Sequence, residues 1–295
     1  MTASNGAPGL AEDREQDMGG LAGLPGLETV AGQLGERIAV LRAEQARRQA
    51  GLAITRPAWK NLVFTGGPGT GKSRAARAVA RVYAEFGLLS SGHVDEVAAA
   101  SVAGATLRET GVLVGETVRR AAGGIVMIPD AHAWYRPPDR GQQVLRRLYQ
   151  ELTEWRDDLA VILAGQAGPL RGLLRASPPL AARFPAVIDF PGYTAGQFAA
   201  IFATLAGEAG FTLTPDAASK AAAVLAQADG DHGPGNARLA VRLLDQATAS
   251  QARRVTIAPQ PQDPATLSTI DAADIPRHIH PDDRPADDQW PGQYL

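Results

Sequence analysis

The sequence predicts an α/β fold, with a parallel sheet of five strands flanked by helices and followed by a small all-helical domain. Two observations support this prediction. Short apolar segments alternate with helical stretches through the first two thirds of the chain, and a parallel sheet covered on both faces requires such strands. After Pro191 the strand pattern stops and only helical periodicity remains.

The predicted elements follow in chain order. Residues 28–49 form an amphipathic helix, because Val30, Leu34, Ile38 and Leu41 recur at helical spacing. The five predicted strands are Lys60–Thr65, His93–Val97, Ile125–Ile128, Ala160–Ala164 and Ala186–Phe190. The helices of the second domain are predicted at 194–208, 215–228 and 236–254.

Four segments result from this pattern. Residues 1–23 are predicted to be a disordered acidic tail, and residues 24–191 an α/β subdomain. Residues 192–257 are predicted to be a helical subdomain, and residues 258–295 a flexible acidic tail rich in proline and aspartate.

Composition excludes several classes of protein. The 295 residues contain no cysteine, which excludes disulfides and thiolate chemistry. The first twenty residues lack the apolar segment of a signal peptide, and no apolar run is long enough to cross a membrane, so we expect a cytoplasmic protein. The net charge is −2 and the arginines are scattered, so no nucleic-acid partner is expected.

The segment GGPGTGKS fits the phosphate-binding pattern G-x-x-x-x-G-K-[ST], with a predicted strand before it and a helix after it. Its glycines allow backbone N–H groups to point at phosphate oxygens, and the positive end of the following helix adds to the attraction. Lys72 is expected to contact the β- and γ-phosphates of ATP, and the Ser73 hydroxyl to bind Mg²⁺. The predicted nucleotide contacts are Gly66, Gly67, Pro68, Gly69, Thr70, Gly71, Lys72 and Ser73.

Several ordered motifs between about Leu24 and Arg254 carry a family resemblance. They are GLETVAGQLGERI, NLVFTGGPGTGKS, AVILAG, LAARFPAVIDFPGYT and GPGNARLAVRLLDQA. Together they resemble the AAA+ ATPases of the CbbX and stage V sporulation protein K group, which are related to the AAA+ ATPases of type VII secretion. The resemblance implies a nucleotide-binding subdomain with a helical lid, assembled as a ring, typically of six subunits, with ATP between neighbours.

Two arginines take roles from this resemblance. Arg183 in AARF matches the arginine finger that reaches the γ-phosphate of the neighbouring subunit. Arg238 in GNAR matches a lid arginine that contacts the nucleotide. Without the motifs, each would be interpreted as an ordinary surface arginine.

The chain departs from the family at two places. Where the third strand of the family ends in Asp-Glu, this chain has Pro129 and Asp130. Proline has no ligand atom for magnesium, and Asp130 is one methylene shorter than the glutamate that polarises the attacking water. In SVAGATLRETG, Thr106 occupies the place of the aromatic residue that grips a substrate polypeptide in the central pore.

These departures leave two functions open. The first is a ring ATPase that hydrolyses ATP slowly to remodel a protein client, with Asp130 and Arg183 as its catalytic residues. The second is a catalytically impaired subunit that binds ATP and works beside an active AAA+ paralogue. Weaker candidates are Gln166 as a polar sensor after the fourth strand, His132 as a proton-handling group, and the sequence HIH at 278–280 as an adventitious metal ligand.

Overall fold

The computed structural model describes residues 25–53, 60–97, 107–135, 138–155, 157–232, 237–257 and 263–279. The chain divides into two compact units. In the described residues, the first unit comprises residues 27–66 and 72–190 and the second comprises residues 25–26, 67–71 and 191 onward, apart from the gaps just given.

The first unit contains five strands and their connecting helices. In chain order these are α1 (Glu28–Gln49), β1 (Leu62–Gly66), α2 (Lys72–Glu85), β2 (Val94–Glu96), α3 (Leu107–Arg120), β3 (Ile125–Ile128), a 3-10 helix (Ala131–Tyr135), α4 (Pro138–Glu154), β4 (Ala160–Gly165), α5 (Ala167–Ala176), α6 (Pro178–Ala181) and β5 (Ala186–Phe190). The strands form one sheet in the order β2-β3-β4-β1-β5, and all four pairings are parallel.

The apolar residues of the sequence explain why this sheet is covered on both faces. Every residue of β3 and β4 is buried, as continuous apolar strands in an α/β sheet must be. The side chains of α1 that recur at helical spacing, from Val30 to Leu41, are buried as well. The fold class predicted from the sequence is therefore confirmed.

The second unit is mainly helical, with α7 (Ala195–Glu208), α8 (Pro215–His232) and α9 (Ala237–Ile257) around its own apolar core. Thr194 begins α7 with a capping box, in which its side chain accepts a hydrogen bond from the backbone N–H of Gln197. Two short strands, β6 (Thr212–Leu213) and β7 (Thr269–Ile270), pair in parallel beside the helices.

The prediction of a flexible tail from residue 258 onward is wrong for residues 263–279. This segment forms α10 (Pro264–Ser268) and β7, and it buries Ile270, Ile275 and Ile279 in the core of the second unit. Asp274 is only 2% exposed as a residue, and its carboxylate accepts hydrogen bonds from Nε and Nη2 of Arg254 on α9. Buried apolar area and a charge-assisted pair thus outweigh the polar composition of the segment.

Two further predictions concern residues that the structure does not describe. The N-terminal tail 1–23 and the predicted pore residue Thr106 lie outside the described residues. Residues 107–111, which follow Thr106, form the first part of α3.

In the part of the chain that the structure describes, no helix is both long and apolar enough to cross a membrane.

Candidate functional site

The glycine-rich loop leaves β1 at Gly66 and enters α2 at Lys72, as its motif requires. Gly69 and Gly71 have φ angles of +71° and +87°, values that glycine adopts without steric cost. Thr70 is buried, and its hydroxyl donates to the carbonyl oxygen of Gly67 over 2.9 Å. The hydrogen bond from Thr70 thus stabilises the curled conformation of the loop.

Lys72 and Ser73 occupy the first two positions of α2. The Lys72 ammonium donates to the carbonyl oxygen of Gly66 over 3.0 Å, which folds the lysine back along the loop. The first turn of α2 contains no acidic residue, so no carboxylate offsets the positive potential of the helix dipole at this end. This combination can attract and hold a phosphate group.

The end of β3 differs from a regular strand end. Pro129 follows Ile128 and cannot donate a backbone hydrogen bond to a neighbouring strand. Asp130 has a φ of +47° and, in the described residues, is the one non-glycine residue with a positive φ. Aspartate tolerates this left-handed conformation better than most residues. The Asp130 side chain is exposed, while its carbonyl oxygen accepts from the N–H of Ala133 over 2.8 Å.

The end of β4 lies between the ends of β3 and β1. Gly165 closes β4 and is the register partner of Thr65, which immediately precedes Gly66. A Cβ atom at Gly165 would lie 3.4 Å from Nδ1 of His132 and 3.5 Å from Cα of Asp130. The structure therefore places Asp130 and the start of the phosphate loop along one edge of the sheet, where ligands bind in open α/β folds.

Two weaker candidates also lie at this edge. Gln166 is exposed and precedes α5, and its side chain accepts no capping hydrogen bond from the backbone of that helix. His132 is half-buried, and its Nδ1 atom is buried without a hydrogen-bond partner among the described residues. Of the HIH sequence, His280 lies outside the described residues, and within them no three potential metal ligands cluster together.

Arg183 lies between α6 and β5 and is half-buried. Its Nη2 atom donates to the Tyr149 hydroxyl over 3.0 Å and to the Thr153 hydroxyl over 3.2 Å, both on α4. Its guanidinium carbon lies 4.7 Å from the centroid of the Tyr149 ring, within the range of a cation–π interaction. Sequence motifs indicate Arg183 but give no sign of these two partners.

Arg238 is exposed and occupies the second position of α9 in the second unit. Its neighbour Ala237 donates its backbone N–H to the carbonyl oxygen of Gly69 over 3.0 Å. The first turn of α9 thus lies against the middle of the glycine-rich loop. The preceding residues 233–236 lie outside the described part of the chain.

A parallel sheet with a phosphate-binding loop after β1 defines the class of P-loop nucleotide-binding folds. Comparison with known proteins then gives the family. The family described as "ATPase family associated with various cellular activities (AAA)" matches residues 62–191, and the AAA lid domain matches residues 194–285. The chain belongs to the AAA+ ATPases of the group that contains CbbX.

Individual relatives are similar over most of their length. Protein CbbX of Cereibacter sphaeroides is 32% identical over 256 residues, which cover 85% of this chain and 82% of that protein. The chloroplastic ribulose bisphosphate carboxylase/oxygenase activase of Cyanidioschyzon merolae is 30% identical and covers 85% of this chain and 87% of its own.

A solved structure from work on katanin self-assembly has a TM-score of 0.53 and 16% identity, covering 92% of this chain and 90% of that chain. At this identity the likeness concerns the fold alone. The family resemblance drawn from the sequence motifs is confirmed by these comparisons.

Proposed function

We propose that this chain binds ATP with Mg²⁺ and assembles into a ring that hydrolyses ATP slowly to remodel a protein client. The observation that carries the proposal is the loop between β1 and α2. It combines glycines in left-handed conformations, a lysine folded back onto Gly66, and a helix N-terminus without acidic residues. These features suit the phosphates of a nucleotide rather than a neutral ligand.

In this proposal, Lys72 neutralises the β- and γ-phosphates and the Ser73 hydroxyl binds Mg²⁺, which lowers the negative charge on the transferred phosphoryl group. Magnesium usually keeps several water ligands and binds few protein groups besides the phosphates. Arg238 contacts the nucleotide within the chain. Arg183 acts on the nucleotide of a neighbouring copy, which makes the ring the functional unit.

The slow rate follows from the end of β3. Pro129 supplies no carboxylate for the metal, so Asp130 is the one acid at this strand end. Its side chain is exposed and can therefore reach a water molecule. However, it is shorter than that of a glutamate, and the left-handed backbone gives it a different direction, so it is poorly placed to polarise that water. Protein remodelling is proposed by analogy with the activase relative, whose name identifies the enzyme that it activates.

The same feature supports a second candidate, an impaired subunit that binds ATP in a mixed ring with an active paralogue. Pro129 and the exposed, left-handed Asp130 are the specific observations in its favour. The two candidates share the binding step and differ in whether this chain hydrolyses the nucleotide and in whether the ring contains an active paralogue.

The test measures ATP binding by calorimetry and steady-state turnover for the full chain, the variant Lys72→Ala and the variant Asp130→Asn. We expect binding by the wild type, none by Lys72→Ala, and a low turnover that Asp130→Asn removes. Absence of ATP binding by the wild type would refute both candidates. Binding with turnover no higher than that of Lys72→Ala would leave only the impaired subunit.

A further inference from the structure

The backbone of Arg183 is fixed by a buried asparagine. Asn61, which immediately precedes β1, is 2% exposed. Its amide nitrogen donates to the carbonyl oxygen of Arg183 over 3.1 Å, and its amide oxygen accepts from the N–H of Val161 in β4 over 2.8 Å. The N–H of Arg183 donates to the carbonyl oxygen of Leu180 over 2.8 Å. Both the carbonyl oxygen and the N–H of Arg183 are therefore hydrogen-bonded, to Asn61 and to Leu180, which fixes the main chain at this residue.

The side chain of Arg183 is fixed separately, by two residues one turn apart on α4. The two hydroxyls of Tyr149 and Thr153 accept from the same guanidinium nitrogen, and the Tyr149 ring lies beneath the guanidinium group. The Thr153 hydroxyl also donates to the carbonyl oxygen of Tyr149 over 2.8 Å, so its lone pair is directed toward the arginine. A long arginine side chain held in this way loses most of its rotamer freedom before any partner arrives.

We propose that Tyr149 and Thr153 are positioning residues, which hold Arg183 in the conformation that contacts the terminal phosphate of ATP in a neighbouring copy of the chain. This inference rests on the proposed function, because it assumes ATP binding and ring assembly. The physical advantage is preorganisation, since a group held in place before binding loses less entropy when it binds. Displacement of a charged group by about 1 Å can cost about 10²-fold in rate.

The inference predicts that assembly with ATP, rather than with ADP, depends on these two residues. Arg183 contacts only the terminal phosphate in this account, so ADP leaves the arginine without its ligand. Self-association of the full chain is measured by light scattering across a range of protein concentrations, with ATP or with ADP. This readout does not require that the chain hydrolyse ATP.

Two pairs of variants separate positioning from a general structural effect. Tyr149→Phe keeps the ring and loses the hydroxyl, whereas Tyr149→Leu loses both. Thr153→Val loses the hydroxyl at constant shape, whereas Thr153→Ser keeps it. Thr256→Val is the matched control. The hydroxyl of Thr256 on α9 donates to the carbonyl oxygen four residues earlier, as that of Thr153 does, but within the described residues it accepts no hydrogen bond from an arginine.

We expect Tyr149→Leu to weaken association with ATP by about tenfold, close to the effect of Arg183→Ala, and Thr153→Val to weaken it by about fivefold. Tyr149→Phe should have an intermediate effect, and Thr153→Ser and Thr256→Val should behave like the wild type. Calorimetric ATP affinity at low protein concentration should not change in any of these variants. Rescue by serine and the difference between ATP and ADP are results that a merely structural role would not produce.

Each contrary result has a distinct meaning. If wild-type chains do not associate with either nucleotide, the ring proposed above is wrong and this inference fails with it. If they associate equally with ATP and with ADP, the ring stands and the contact of Arg183 with the terminal phosphate is refuted. If the wild type associates more strongly with ATP and Tyr149→Phe and Thr153→Val match it while remaining folded, only the positioning role is refuted. Equal loss of association with ATP and with ADP would also refute it, because the residues would then support the interface in general.

Discussion

Replacement of Asp274 by alanine tests whether the segment 263–279 is part of the folded second unit. The Asp274 carboxylate accepts from Nε of Arg254 at 2.9 Å and from Nη2 at 2.7 Å, and from the backbone N–H of Asp271 at 2.9 Å. Arg254 also donates to the carbonyl oxygen of Thr269 in β7 over 2.9 Å. One carboxylate therefore connects α9 to both ends of the turn that follows β7.

The magnitude follows from the burial of the two partners. Breaking a fully buried ion pair costs about 3–5 kcal/mol, because the remaining charge loses its partner. The Asp274 side chain is 3% exposed but that of Arg254 is 31% exposed, so water can solvate part of the remaining guanidinium group. We therefore expect Asp274→Ala to lower the free energy of unfolding by about 2–3 kcal/mol.

The assay is denaturant unfolding of the full chain, together with hydrogen exchange at the amide of Thr214. This amide donates to the carbonyl oxygen of Ile270 over 3.1 Å and reports the docking of β7. Asp271→Ala is the control, because the Asp271 carboxylate lies 3.5 Å from Arg254 and is 43% exposed, so its loss should cost less than about 1 kcal/mol. Unchanged stability and unchanged exchange in Asp274→Ala would refute the docking of the segment.

The same group gives a pH dependence with a definite sign. Burial raises the pKa of Asp274, but the hydrogen bonds from Arg254 and Asp271 and the charge of Arg254 outweigh it, so the pKa lies below its ordinary value of 3.8. The stabilisation is therefore complete above pH 3.8 and is lost as the pH falls through the folded-state pKa. The difference in stability between wild type and Asp274→Ala should shrink when unfolding is measured at progressively lower pH in this range.

The remaining predictions concern the edge of the sheet. Asp130→Asn should change the free energy of unfolding by less than about 0.5 kcal/mol relative to the wild type, because asparagine also tolerates a positive φ. ATP turnover by this variant should fall to background. Turnover equal to that of the wild type would remove Asp130 from the catalytic residues. Gly165→Ala should lower stability by about 1–2 kcal/mol, because a side chain at φ +152° is strained and contacts His132. The control is Gly172→Ala on α5, where a Cβ atom would meet open space, and it should raise stability by about 0.5–1 kcal/mol. Similar effects of the two alanines on thermal unfolding would contradict this interpretation of Gly165.

Local and periodic features of the fold could be predicted from the sequence. Helix α1 at 28–49 and strands β3 and β5 have the predicted bounds, because apolar periodicity and continuous apolar runs determine them directly. The segment 263–279 could not be predicted, because its three buried isoleucines are scattered among proline and aspartate without helical or strand periodicity. The burial of these isoleucines and the contact of Asp274 with Arg254 order this segment, and no local pattern contains either of them.

The candidate site divides in the same way. The phosphate loop is contiguous in sequence, so its motif indicates all of its residues together. The partners of Arg183 are 34 and 122 residues away in the chain, at Tyr149 and Asn61, and only the folded sheet brings them together. Likewise, the substitution Pro129 is visible in the sequence, but the left-handed conformation of Asp130 after it is not.

If the proposed function is right, the nucleotide site binds ATP and residues 129 and 130 limit its turnover. The most direct test is steady-state ATP turnover by the full-length double variant Pro129→Asp/Asp130→Glu beside the wild type, each also measured with Lys72→Ala as background. We expect an increase of about 10²-fold in the double variant, which Lys72→Ala abolishes. A double variant that binds ATP as the wild type does and shows no gain in turnover would show that residues 129 and 130 do not limit hydrolysis.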